Sequence, residues 1–134
     1  MKTILFPILF IASMSLNDVH TTVKNQLEGT WIYADWEDGG MVFQKGNDFA
    51  KDKGGIQFLE NGTLIKRQNA GWCGTPPITY RNYEGTWEIT PNSTVKISYA
   101  YWGGTMKEEW SVVKLNDQSM KIIVLEQDRI RKNK

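Results

Sequence analysis

The stretch Tyr83 to Thr90, YEGTWEIT, alternates without a break: Tyr83, Gly85, Trp87 and Ile89 fall on one side, Glu84, Thr86, Glu88 and Thr90 on the other. A period of two belongs to a β-strand, whose successive side chains project to opposite faces, and not to a helix. The segment therefore expects a sheet with one buried and one wet face. The same four letters, EGTW, occur at Glu28 to Trp31, where Leu27, Gly29, Trp31 and Tyr33 share a side. Glycine weakens a strand and marks a bend or a close approach. A tryptophan two residues on faces the same side, so its indole can lie over the bare glycine. Trp31 and Trp87 are accordingly read as core fillers where a sheet curves to close on itself.

Other segments carry the same period. Val95, Ile97, Tyr99 and Tyr101 alternate with Thr94, Lys96, Ser98 and Ala100. GGIQFLENGTLIKRQ reads as a hairpin about Asn61-Gly62, a pair suited to a type I′ turn because both central residues there need positive φ. After Gly103-Gly104, TMKEEWSVVKL and SMKIIVLEQ form a last pair around Asn116-Asp117. With a short strand at Met41 to Gln44, the count is seven or eight strands and no long helix, which indicates an antiparallel sandwich or barrel. Two stretches break the rhythm. Glu37 to Gly55 is long and glycine-rich yet holds Met41, Val42, Phe43 and Phe49, so it reads either as a lid or as a plain surface loop. Asn69 to Tyr80 contains Pro76 and Pro77, which exclude a central strand.

The first residues, MKTILFPILFIASMS, join Lys2 to an apolar run from Ile4 to Ala12 and then to Ser13 and Ser15. This is the layout of a signal peptide over 1–15, too short to span a bilayer. Residues 16–26 follow as a linker or short helical turn, then a single β domain over 27–128 and a basic tail over 129–134. Removal of Lys2 from the 16 basic residues leaves as many positive as negative charges, the acids numbering 15. That balance gives no electrostatic case for nucleic acid. The expected product is secreted or periplasmic, without a membrane span, and monomeric. Its only cysteine, Cys73, allows no internal disulfide.

No catalytic set emerges, and no cofactor is implied. His20 precedes the domain, and Cys73 has no histidine within it to activate the thiol. Metal ligands of the His and Cys kind are lacking. Asp35, Glu37 and Asp38, or Asn47, Asp48 and Asp52, do not follow the spacing of a calcium loop. Glu108 and Glu109 alternate faces, and the phase of Met106, Trp110 and Val112 points Glu108 inward, where it would pair with an inward Lys or Arg or lie at a rim. The sequons at Asn61 and Asn92 read as turn residues.

The order LEGTW, IQFLENGTL, YEGTWEI, VKISY and EEWSVVKLNDQSMKIIV resembles small bacterial lipocalin-like proteins over Leu27 to about Gln127. The resemblance implies an all-β fold, an antiparallel up-and-down β-barrel of about eight strands. It also implies an internal cavity for a small hydrophobic molecule, a loop over the mouth, and Arg129 or Arg131 packed on Trp31. On that footing the chain is an exported binder of a hydrophobic or amphipathic molecule. Its expected wall is Tyr33, Phe58, Tyr99, Tyr101 and Trp110, with Phe43 and Trp72 supplied by loops. Each of these rings also fits ordinary core. The alternative is an interaction or inhibitor module with a filled interior that grips protein or glycan through loops and outer anchors such as Trp36 and Trp102.

Overall fold

A computed structural model describes residues 16–71, 74 and 76–132, with side chains from Thr21 onward. The expected signal peptide lies outside the described residues, as do Trp72 and Cys73. The first element is a helix, α1 (Leu16–Leu27), longer than the linker or short turn expected there. Eight strands follow: β1 (Gly29–Glu37), β2 (Gly40–Gly46), β3 (Gly55–Phe58), β4 (Thr63–Asn69), β5 (Tyr80–Ile89), β6 (Val95–Tyr101), β7 (Gly104–Leu115) and β8 (Ser119–Arg131). They close into one antiparallel barrel. β8 extends through Arg131, so half of the expected basic tail is strand, paired with the start of β7. No described helix is long and apolar enough to cross a membrane.

From β3 to β8 each strand pairs with the next, as an up-and-down meander does. β1 sits between β2 and β3, so the chain passes from one flank of β1 to the other. Residues 47–54 make that passage over the outer wall. Tyr33 N–H donates to Gly54 O at 2.9 Å. Arg67, three residues after buried Leu64 and so on the outer face of β4, donates from Nε to Ala50 O at 3.0 Å and from Nη2 to Lys51 O at 2.8 Å. The Glu37 to Gly55 stretch is therefore not a lid. Much of it is β2, and the remainder is strapped to the barrel by Arg67.

The type I′ geometry expected at Asn61-Gly62 is found at another turn. Asp38 and Gly39 have φ of 46° and 77°, the pattern of a type I′ turn, and join β1 to β2. At Asn61-Gly62 only the glycine is left-handed, with φ of 82°. Leu59 N–H donates to Thr63 O at 2.9 Å, which carries the pairing one residue further and leaves a three-residue loop. Such a loop is a type I turn completed by one left-handed residue. The β5–β6 loop repeats this form with Ser93, at φ of 63°, in the left-handed place.

The end at which β1 starts, called lower here, is packed shut. Trp31 and Trp87 are both buried, together with Leu27, Phe58, Leu64 and Val95, and Val23 of α1 packs on this cluster. Each indole also satisfies a carbonyl at that end: Trp31 Nε1 donates to Leu27 O at 2.7 Å and Trp87 Nε1 to Leu59 O at 2.9 Å. Both tryptophans of the repeat are thus core fillers. Their glycines serve a different neighbour from the one expected. A Cβ on Gly85 would lie 2.1 Å from Ser98 O and 2.8 Å from Tyr99 Cα, so the glycine admits the backbone of β6. At Gly29 the close neighbour is the Lys45 side chain. Lys45 Nζ lies 4.5 Å from the Trp31 ring centre, in the cationic place that the resemblance gave to Arg129 or Arg131.

Candidate functional site

The upper end is built differently because its strands have unequal lengths. β2 pairs with β8 only over Ser119 to Ile122, whereas β7 stays paired with β8 as far as Arg131. β3 begins at Gly55, opposite Ile32 of β1. Above these levels β4 to β8 form a wall with shorter strands facing it. Inward positions on the wall follow from phase and register. Lys66 stands two residues after buried Leu64, Tyr99 and Tyr101 continue the buried face of β6, and Met106 and Glu108 that of β7. Gln127 pairs with Glu108 and Arg129 with Met106.

Glu108 lies at the centre of this group and is only 8 % exposed. A buried carboxylate is costly unless its oxygens are hydrogen-bonded. Here Oε1 accepts from the Tyr99 hydroxyl at 3.2 Å and from Gln127 Nε2 at 2.7 Å, and Oε2 accepts from Trp110 Nε1 at 2.9 Å. All three donors are neutral. Burial and the Glu108 charge push the Tyr99 pKa well up, against a smaller opposing pull from Arg129, so Tyr99 remains a protonated donor. Burial lowers the Lys66 pKa, and the attraction of Glu108 offsets part of that drop. Among the described residues the one ion pair is Lys121 Nζ to Asp38 Oδ2 at 3.8 Å. Lys66 and Glu108 therefore attract without touching. Lys66 Nζ instead stands 5.8 Å from the Tyr99 ring centre, and Arg129 Cζ 5.6 Å from that of Tyr101.

The expected wall residues divide between this group and the floor beneath it. Phe43, Phe58 and Trp110 are fully buried, and both phenylalanines pack on the indole: Phe43 stacks on Trp110 with ring centres 6.1 Å apart, and Phe58 meets it edge-on at 6.3 Å. These three are core, and Phe43 comes from β2 rather than from a loop. Tyr99 and Tyr101 belong to the upper group. Tyr33, 36 % exposed, stands edge-on to Phe43 at 6.0 Å and forms a rim. Trp72 lies outside the described residues. Trp36 is exposed, as an outer anchor would be, but the register slips between Tyr33 and Asp35 and sets it opposite Met41, which packs on the core. It is a rim residue. Trp102 sits in the β6–β7 turn, edge-on to Tyr101.

Lys66, Gln127 and Arg129 are the members that pattern reading did not assign to the interior. Lys66 was legible, since Leu64 fixes the phase of β4. Gln127 and Arg129 were not, because a register shift opposite Glu109 and Trp110 leaves Leu125 extra and reverses the phase of β8 beyond it. A depression of about 510 Å³ lies along β5 to β8, lined mainly by outward residues such as Glu88, Lys96, Lys107, Glu126 and Asp128, although Glu108, Trp87 and Ile97 also border it. Another of about 280 Å³ lies between α1 and the end of β5. Neither includes Lys66, Tyr99 or Arg129 in its lining. Among the described residues no three His, Cys, Asp or Glu side chains gather where they could hold a metal ion. No protein-family model matches the chain, and neither a curated protein nor a solved structure does.

Proposed function

We propose that this protein is an exported, lipocalin-like carrier that binds a small amphipathic molecule at the upper end of its barrel. One observation carries the reading: a buried carboxylate, the half-buried Lys66 and the exposed Arg129 at the rim gather at the end of the barrel above a floor of packed aromatic rings. Binding sites of this class combine apolar surface with a few polar groups that fix orientation. Tyr33, Tyr99 and Tyr101 supply the rings, and the Glu108 network supplies the polar groups. The packed floor limits the site to a shallow one, so a short apolar chain fits and a long one protrudes. The closed eight-strand antiparallel barrel is compatible with the lipocalin-like resemblance, and the leader-like first 15 residues support export.

An amide NMR titration with 1-octanol and octanoate tests the proposal. The expected result is a saturable set of shifts at Tyr33, Tyr99, Tyr101 and Glu108, with Leu27, Trp31 and Trp87 unmoved. Shifts confined to the outer wall, or none at millimolar ligand, contradict it.

A second reading, a module that grips another polypeptide, is favoured by one feature. Among the described residues Ile123 to Arg131 pair with β7 alone, and Leu125 and Ile130 are exposed along that edge. An open strand edge can add an extended peptide as a further strand. Native mass spectrometry of protein from its own host separates the readings by what co-purifies, a small molecule or a polypeptide.

A further inference from the structure

Among the described residues, three donors at the upper end have no protein acceptor. The Glu108 oxygens, which would be the natural partners of the two cations there, are already occupied by Tyr99, Trp110 and Gln127. Lys66 comes in from β4 and Arg129 from β8, on either side of the β6 tyrosines, and each faces a ring rather than a carboxylate. The Tyr101 hydroxyl makes no hydrogen bond among the described residues, although the residue is buried. The one charged acceptor is Glu108, with its hydrogen-bonding capacity largely used; the remaining acceptors, the Gln127 amide oxygen and the tyrosine hydroxyls, are neutral. A site with two cations against one committed carboxylate is complementary to an anion. It repels a cation, because Lys66 and Arg129 outnumber Glu108.

We infer that the molecule bound at the upper end is an organic monoanion, its carboxylate or equivalent oxyanion held by Lys66, Arg129 and the Tyr101 hydroxyl, its apolar part lying against the exposed ring of Tyr33. Bidentate geometry favours arginine for a planar oxyanion, while lysine contributes a point charge. Desolvation by the ligand strengthens both contacts, since charges attract more strongly out of water. Glu108 has a positioning role. It holds the Tyr99 hydroxyl and the Trp110 indole in place and keeps Lys66 turned inward by attraction at a distance.

The inference rests on the proposal that small amphipathic molecules bind at this end, and one set of titrations separates the two. Octanoate, 1-octanol and octylammonium share a chain and differ in head-group charge. Calorimetry on the wild-type protein is expected to rank octanoate first, about tenfold tighter than octanol, with octylammonium weakest. Lys66→Met and Arg129→Gln should each abolish most of that preference, octanoate losing far more affinity than octanol, and Lys66→Arg should restore it. Arg129 is exposed, so its variant folds and keeps the test open if Lys66→Met does not. Equal binding of octanoate and octanol overturns the anion inference and leaves the site standing. A preference for octanoate that survives in both Lys66→Met and Arg129→Gln overturns the assignment to these two residues. Absence of binding by all three probes overturns both.

Discussion

Ser93 shows how a single residue can be at odds with its own backbone. It takes a left-handed conformation that costs a side-chain-bearing residue roughly 1 to 2 kcal/mol, and its side chain is exposed. Ser93→Gly is expected to stabilise the protein by about 1 kcal/mol, read as a higher midpoint in urea with an unchanged slope. Trp87 lies at the opposite extreme. Its indole fills the lower core, meets Phe58 at 4.9 Å and donates to Leu59 O, so Trp87→Ala should cost about 3 to 5 kcal/mol in the same assay. Lys66 gives a pH signature. Its folded pKa lies below the ordinary 10.5, so between those two values the unfolded chain holds the extra proton and stability rises with pH. Below the folded pKa both states are charged, and the fold bears the full desolvation cost. Lys66→Met removes that cost, so the variant should be the more stable at neutral pH, and its advantage should shrink as pH climbs towards 10.5. Thermal melts of both proteins across the alkaline range read the difference directly. Single residues were legible where an undisturbed strand carried them. The period of two marked Trp31, Trp87, Glu108 and the buried face of β6, whereas Arg129 and Trp36 lie beyond irregular registers that no periodic pattern reveals.

At the scale of elements, chemistry that is weak in the sequence decides the path of the chain. β2 was legible only as a short strand in a glycine-rich stretch, because its hairpin turn is Asp38-Gly39 and its continuation is the strap over β1. Gly39 has a φ of 77° with open space where a side chain would go, so Gly39→Ala isolates the backbone penalty, about 1 to 2 kcal/mol. The strap depends on Arg67, whose guanidinium also donates from Nη1 to Asn82 Oδ1 at 2.9 Å. Removing it leaves the Ala50 and Lys51 carbonyls without their donors. Arg67→Ala should speed hydrogen exchange at the amides of Tyr33 and residues 47–54 while the amides of β6 and β7 stay protected. Equal acceleration throughout the barrel would show that the strap is not a separable unit. The strap itself was invisible to pattern reading, since a loop crossing the outside of a barrel has the polar, glycine-containing composition of any surface loop.

The whole molecule is a barrel with two unlike ends. The repeated EGTW and the alternating strands made the all-β class and the buried tryptophans readable. What stayed hidden was the asymmetry, because it arises from unequal strand lengths and from a register shift in β8 rather than from composition. The lower end is sealed by α1, Trp31 and Trp87, and the upper end carries a hydrogen-bonded carboxylate and two cations over Trp110. Fluorine NMR of protein labelled with fluorotryptophan, titrated with octanoate, tests that division most directly. Movement of the Trp110 resonance with saturation, while Trp31 and Trp87 hold their positions, is the expected result. Movement of Trp31 and Trp87 together with Trp110 would mean a ligand passing through the floor, and a still Trp110 would mean that nothing reaches the Glu108 network; either contradicts a shallow polar site above a packed core.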